Sequence, residues 1–182
     1  MADSFKLRCL KAVTQAFKEI TPANGYQLDL SDFDPGDGVA TARVYRGRAW
    51  FGDEDPVPLV SILEAVDDAD LVSVPPVMAT GGEYDWPLLV QGFVTDDHEN
   101  PTDPAYVLLA DLRQRLGVER KRTAVGSRSR PDPFGLGTGT NRITAVNFGS
   151  GIVRPADDVS AKAWVWLPVT LRIVEDSVDP YA

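Results

Sequence analysis

This chain is short of the residues that most often carry chemistry. Its 182 residues include one cysteine, Cys9, and one histidine, His98. A single cysteine excludes an internal disulfide and a thiolate metal cage. It falls on the apolar side of the first expected helix with no histidine near it, so a small buried hydrophobe is the reading. One imidazole leaves Ser127, Ser129 and Ser150 without a plausible general base. No apolar run approaches the roughly 20 residues that span a bilayer. The opening Met1-Ala2-Asp3-Ser4 lacks the basic-then-apolar order of a secretory signal, so a cytoplasmic folding compartment is expected. Positive charge is also scarce: 18 Lys and Arg stand against 27 Asp and Glu, a net charge of −9. Such a chain repels nucleic acid and anionic membranes as a whole. Its 43% apolar and 25% charged residues are ordinary for a globular protein, and its length fits one domain with a substantial core.

Two amphipathic helices are marked. Over Ser4 to Ile20, the residues Phe5, Cys9, Leu10, Val13, Ala16, Phe17 and Ile20 line one face, with Asp3 or Ser4 as cap and Thr21-Pro22-Ala23-Asn24-Gly25 as the stop. The second helix follows Pro101-Thr102-Asp103-Pro104. Asp103 is placed to cap it and Pro104 to open it, because the first N–H groups of a helix have no internal partner. Ala105, Leu108, Leu109, Leu112 and Leu116 form its stripe, and Gly117 is its expected end.

Strands are expected at Tyr26–Leu30, Val39–Arg46, Val57–Val66, Trp86 to about Val94, and Ala163–Val174, with acidic turns at 32–38 and 52–56 and an irregular stretch at 67–83. The last strand alternates cleanly, with Ala163, Val165, Leu167, Val169, Leu171 and Ile173 on one side. Pro168 inside it predicts an edge position or a bulge. Residues 118–151 are rich in Gly, Arg, Ser, Thr and Pro and read as a long arm, with a hairpin over Ile143–Phe148. The expected architecture is one α+β domain over 1–182: a mainly antiparallel or mixed sheet with two helices on one face, plus the arm. Its core brings Leu10, Val13, Phe17, Leu109, Leu112 and Leu116 against Val60, Ile62, Val90, Val169 and Leu171 or their opposite-face neighbours.

Sites for small ligands are weak in this sequence. Asp96, Asp97, Glu99 and Asp103 surround His98, yet without the fixed spacing of zinc or calcium motifs, and a solvated turn is the simpler account. Asp32, Asp34 and Asp37 are followed by no Glu at the twelfth position, and Pro35 interrupts them. Gly135-x-Gly137-x-Gly139 lacks the preceding strand and following helix of a phosphate loop. Paired carboxylates are too numerous for any pair to stand out. The expectation is no catalytic residue, no metal and no cofactor.

Charge placement is sharper. Residues 113–130 hold Arg113, Arg115, Arg120, Lys121, Arg122, Arg128 and Arg130 against Glu119 alone, seven minus one, or +6, which leaves −15 for the rest of the −9 chain. A solvated basic loop is the plain reading. The functional one is contact with an acidic surface, including another copy of this chain, through Arg120, Lys121, Arg122, Arg128 and Arg130. No base-stacking aromatics are interleaved, which argues against nucleic acid there.

Several phrases resemble the tail terminator (tail completion) proteins of long-tailed bacteriophages. They are the helix ending in Ile20-Thr21-Pro22-Ala23-Asn24-Gly25-Tyr26, then Val44-Tyr45-Arg46-Gly47-Arg48, and Pro58-Leu59-Val60-Ser61-Ile62-Leu63-Glu64. Trp86-Pro87-Leu88-Leu89-Val90-Gln91-Gly92, Asp103-Pro104-Ala105-Tyr106 and Leu109-x-x-Leu112 continue the match, which covers most of 4–117 and the final strand. The arm at 118–151 is longer than the family core. The resemblance implies a structural virion protein without enzymatic activity. It would form a ring, a homohexamer, on the finished tail tube, stop tube polymerisation and offer the head-joining surface. The implied partners are itself, the tail tube protein and the head–tail connector or neck protein, with DNA only passing through the lumen and no membrane. The implied location is the virion tail or neck, and the host cytoplasm during assembly. A head–tail connector or neck adaptor is the nearest alternative. A small carboxylate-based hydrolase or a sugar-binding domain using exposed tryptophans is the alternative from another class.

Overall fold

The computed structural model describes residues 2–52, 54–64, 81–156 and 162–182. Helix α1 spans Phe5–Lys18. It is followed by a 3-10 turn at Pro22–Asn24 and strands β1 (Val44–Arg46), β2 (Leu59–Glu64) and β3 (Gly82–Val94). Helix α2 spans Asp103–Lys121, and the chain ends with β4 (Arg142–Phe148), β5 (Ile152–Arg154) and β6 (Ala163–Glu175). The sheet order is β1-β2-β3-β6-β4, with β5 also paired to β6. Only β1 and β2 run parallel. The result is an α+β fold with a six-stranded mixed sheet.

Both helices pack on one sheet face. Trp86, Leu88, Val90 and Val94 of β3 stand opposite Leu171, Val169, Leu167 and Ala163 of β6, and all are buried. Val60 and Ile62 extend this face through β2, and Ile143 and Val146 through β4. Onto it α1 brings Phe5, Cys9, Val13 and Phe17, and α2 brings Ala105, Leu108, Leu109, Leu112 and Leu116. The expected core is thus present, except that Leu10 is only half-buried at the margin. Gly92 lets α2 come close: a Cβ there would meet the Leu108 Cδ2 at 2.7 Å. Asp111, buried on α2, accepts the Gln27 and Leu28 N–H groups at 3.0 and 2.9 Å. That contact replaces sheet pairing, so residues 26–30, expected as a strand, form a connection pinned to the helix.

Other expectations shift as well. The strand expected from Val39 pairs only over Val44–Arg46, because residues 33–41 close on themselves through reciprocal Phe33 and Thr41 backbone bonds of 2.8 and 2.7 Å. Ala65, Val66 and the Pro75-Pro76 stretch lie outside the described residues. Asp103 is the first helical residue of α2, not its cap; Thr102 takes the cap position without a side-chain bond. Gly117 does not end the helix, which runs one further turn to Lys121. The expected hairpin over 143–148 is one strand, β4. Residues 118–121 and 142–148 of the expected arm are therefore helix and sheet.

Strand β6 lies inside the sheet, not at its edge, despite Pro168. The proline has no N–H to give, and its neighbour makes no demand there. β4 pairs with Val169–Val174 and β5 with Trp164–Trp166, and the chain breaks out between them at 149–151. Across that break the Gly149 N–H donates to the Pro168 carbonyl at 3.0 Å. N–H and C=O of one strand residue point the same way, so the absent donor faces the interruption.

The outer sheet face is half covered. The segment after β1 folds across it, so Leu59 and Ser61 are fully buried there. The Phe51 ring lies 5.4 Å from both Tyr45 and Phe93, and the Arg48 guanidinium sits over Tyr45 and Phe51 while pairing with Asp55 at 2.7 Å. Beyond it, Trp164 and Trp166 lie 4.8 Å apart, with Trp166 and Ile152 exposed.

Candidate functional site: the two ends of helix α2

The carboxyl end of α2 is built around a buried carboxylate. Glu119 is 1% exposed, although it sits on a helix. Its Oε1 accepts the Arg115 guanidinium at 2.6 Å, one turn back, and its Oε2 faces Arg122 at 3.4 Å. Oε2 also accepts the Phe134 N–H at 2.7 Å. Arg115 is shared with Glu19 at 2.6 Å and donates its Nε–H to the Ala16 carbonyl at 3.0 Å, which ties the end of α1 to α2. Phe134 is buried in a left-handed conformation, φ 61°, uncommon for a residue with a bulky side chain. The cluster explains why α2 passes Gly117. The turn 118–121 puts Glu119 where two guanidiniums and a backbone N–H converge, which outweighs the glycine penalty of about 1 kcal/mol.

A short hairpin follows. The Asp132 N–H donates to the Arg122 carbonyl at 3.1 Å and the Ala124 N–H to the Arg130 carbonyl at 2.9 Å, so residues 122–132 double back. Its tip carries Val125, fully exposed, and Gly126 with φ 79°. The glycine-rich loop beyond it is occupied by its own side chains. Asp132 accepts the Gly137 N–H at 2.8 Å, and Arg130 donates to the Thr138 carbonyl at 2.5 Å. A carboxylate in that place repels phosphate.

The five basic residues singled out in the sequence divide accordingly. Arg122 belongs to the Glu119 cluster, and Arg130 ties down the loop. Arg120, Lys121 and Arg128 are exposed, and none has an ion pair or side-chain hydrogen bond among the described residues, nor has Arg113 two turns earlier. Elsewhere Lys11, Lys18, Arg48 and Arg172 pair with Asp3, Asp32, Asp55 and Asp85. Arg154 on β5 is likewise exposed and unpaired among the described residues, so unpaired cations are concentrated at this end but not confined to it. Sequence spacing did not separate Arg115 and Arg122 from them. The only signal was Glu119 at i+4 from Arg115 and i−3 from Arg122.

The amino end is the opposite in charge and shape. Asp97 accepts the Glu99 and Asn100 N–H groups at 2.9 and 2.7 Å, which makes the turn before α2. Beside it lies an open depression of about 440 Å³. Leu28, Pro104 and Val107 form its apolar floor; Asp97, Glu99 and Asp103 stand on its rim. His98 is exposed on the same turn.

The other acidic turn is self-satisfied. Asp34 accepts the Gly36 and Gly38 N–H groups at 2.8 and 3.2 Å, Asp37 accepts that of Val39 at 2.9 Å, and Asp32 pairs with Lys18 at 2.7 Å. Among the described residues no group of three His, Cys, Asp or Glu side chains converges as metal ligands would. No helix of the described residues is long and apolar enough to cross a membrane.

Cys9 lies fully buried on the inner face of α1, and burial pushes its thiol up to about 12. The thiolate is the reactive form, so the folded protein should resist a thiol-directed disulfide reagent at pH 8 and react fully once denatured. Rapid stoichiometric labelling of the native chain would contradict this placement.

Neither the family models nor the curated proteins compared with this chain give a match.

Proposed function

We propose that this protein is a structural virion subunit that assembles as a ring on the tail tube of a long-tailed bacteriophage, ends tube polymerisation and offers the head-joining surface. The observation that carries the reading is the set of unpaired cations on the last turn of α2 and its hairpin. They are held on a rigid base by the buried Glu119 cluster. A fixed, projecting charged surface suits repeated protein–protein contact, where charge sets register and partner choice more than affinity. The sequence resemblance to tail terminators supplies the kind of assembly. In this reading the protein acts by contact and has no catalytic role; its partners are its own copies, the tail tube protein and a neck protein.

The test is to polymerise the cognate tail tube protein with and without the purified chain and inspect the tubes by electron microscopy. Short tubes of uniform length, each with a ring at one end, are expected. His98→Ala should cap equally well. Tubes that grow unhindered and bare in the presence of folded protein would overturn the proposal.

A further inference from the structure

We infer that the hairpin at 122–132 of one copy inserts into the acidic depression at the amino end of α2 of the next copy, joining subunits head to tail. The inference rests on the ring proposed above in that it names the contact repeated around it.

Three observations lead there. The first is charge. Arg120 and Lys121 precede the hairpin and Arg128 lies within it, all unpaired, and Asp97, Glu99 and Asp103 rim the depression. The second is shape and polarity. The hairpin is the convex partner and carries a fully exposed valine, Val125, at its tip. The depression, about 440 Å³, is concave with Leu28, Pro104 and Val107 as its floor. Insertion buries the tip on apolar carbon and leaves the cations against the carboxylates.

The third is reach. The two surfaces sit at opposite ends of a 19-residue helix. At 1.5 Å per residue that is about 28 Å. A hairpin that turns at 125–127 extends only about 10–15 Å beyond Arg122. It cannot fill the depression of its own chain, so the occupant is a second copy. Two different patches meeting make a heterologous contact, which closes into a ring when the rotation permits.

The experiment reads mass in solution by sedimentation velocity and native mass spectrometry. The full-length wild-type chain should form a species larger than a dimer at low salt and dissociate as salt rises, because exposed pairs are screened within roughly 8 Å at 0.15 M. Val125→Asp, at a fully exposed tip, should be folded and monomeric. The double variant Asp97→Lys/Asp103→Lys, with a reversed rim, should also be monomeric. Mixed in equal amounts, the two should form a one-to-one dimer and stop there, because only one intact hairpin and one intact depression remain. Circular dichroism checks that each variant is folded.

A wild-type monomer at every salt, a wild-type dimer, an unchanged mass for Val125→Asp, or a mixture that stays monomeric would each overturn the contact. Failure here is distinct from failure of the capping function. Normal ring-capped tubes made by Val125→Asp would remove this contact and leave capping standing. A wild-type oligomer that never caps tubes would do the reverse.

Discussion

Replacing Glu119 by Ala should destabilise the protein by about 3–5 kcal/mol, the usual cost of removing one partner from a buried ion pair. The change leaves the buried Arg115 guanidinium with only the half-exposed Glu19 carboxylate and the Ala16 carbonyl. It also strips the Phe134 N–H of its acceptor. An unsatisfied buried donor costs about 1–3 kcal/mol by itself. At about 2–4 °C per kcal/mol for a domain of this size, the unfolding midpoint should fall by roughly 10 °C. Glu119→Gln keeps the shape and one acceptor, so it should lose less than Ala. The measurement is urea unfolding followed by far-ultraviolet circular dichroism. A loss under 1 kcal/mol would mean that the cluster is an ornament of a helix end held by other forces.

Leu112→Ala is the second large effect, about 2–5 kcal/mol, the range for truncating a buried leucine. Leu112 has no exposed surface and sits mid-stripe on α2 against the sheet. The loss combines the transfer of the removed carbons with a cavity between α2 and the sheet that a rigid β3–β6 pair cannot close. The denaturant midpoint should move with its slope unchanged, as expected when stability alone changes. The two sites are seven residues, about two turns or 10 Å, apart on the same helix and touch different partners. Their effects should nearly add, and a large coupling would show that the helix end and the core yield together.

What was legible in the sequence was whatever repeats with a period. The alternation of β6 and the stripes of both helices gave element type, the buried face and most core residues, because burial on one side of a regular element writes itself along the chain. Where one long-range bond decides, the sequence was silent. Tyr26–Leu30 alternates plausibly, but the N–H groups of Gln27 and Leu28 go to Asp111, some 84 residues away, and those of Tyr26 and Leu30 to the Thr21 and Ile20 carbonyls. Gly117 looks like a helix end, yet Glu119 draws the next turn into a cluster whose members lie on two helices and a loop. Pro168 pointed to an edge strand or a bulge, yet β6 is internal and the interruption that spares the missing N–H lies in the neighbouring strands. Seven basic residues read as one patch; two of them, Arg115 and Arg122, are consumed by Glu119, and no count of charges could tell which.

The place of β6 in the sheet also governs the order of events as the chain is made. β6 is the strand between β3 and β4, yet it comes after both in chain order, and its pairing with β3 joins residues roughly 70 to 90 positions apart. While the ribosome still holds that segment, β3 has an open edge over its whole length, and α2 can cover only part of the apolar face. Nucleation must then wait until β6 itself has been made, and folding should run on the millisecond-to-second scale of proteins rich in distant pairings. A chain stopped before Ala163 would carry Leu88, Val90 and Val94 beside an unfilled gap, the kind of edge that recruits other strands into aggregates.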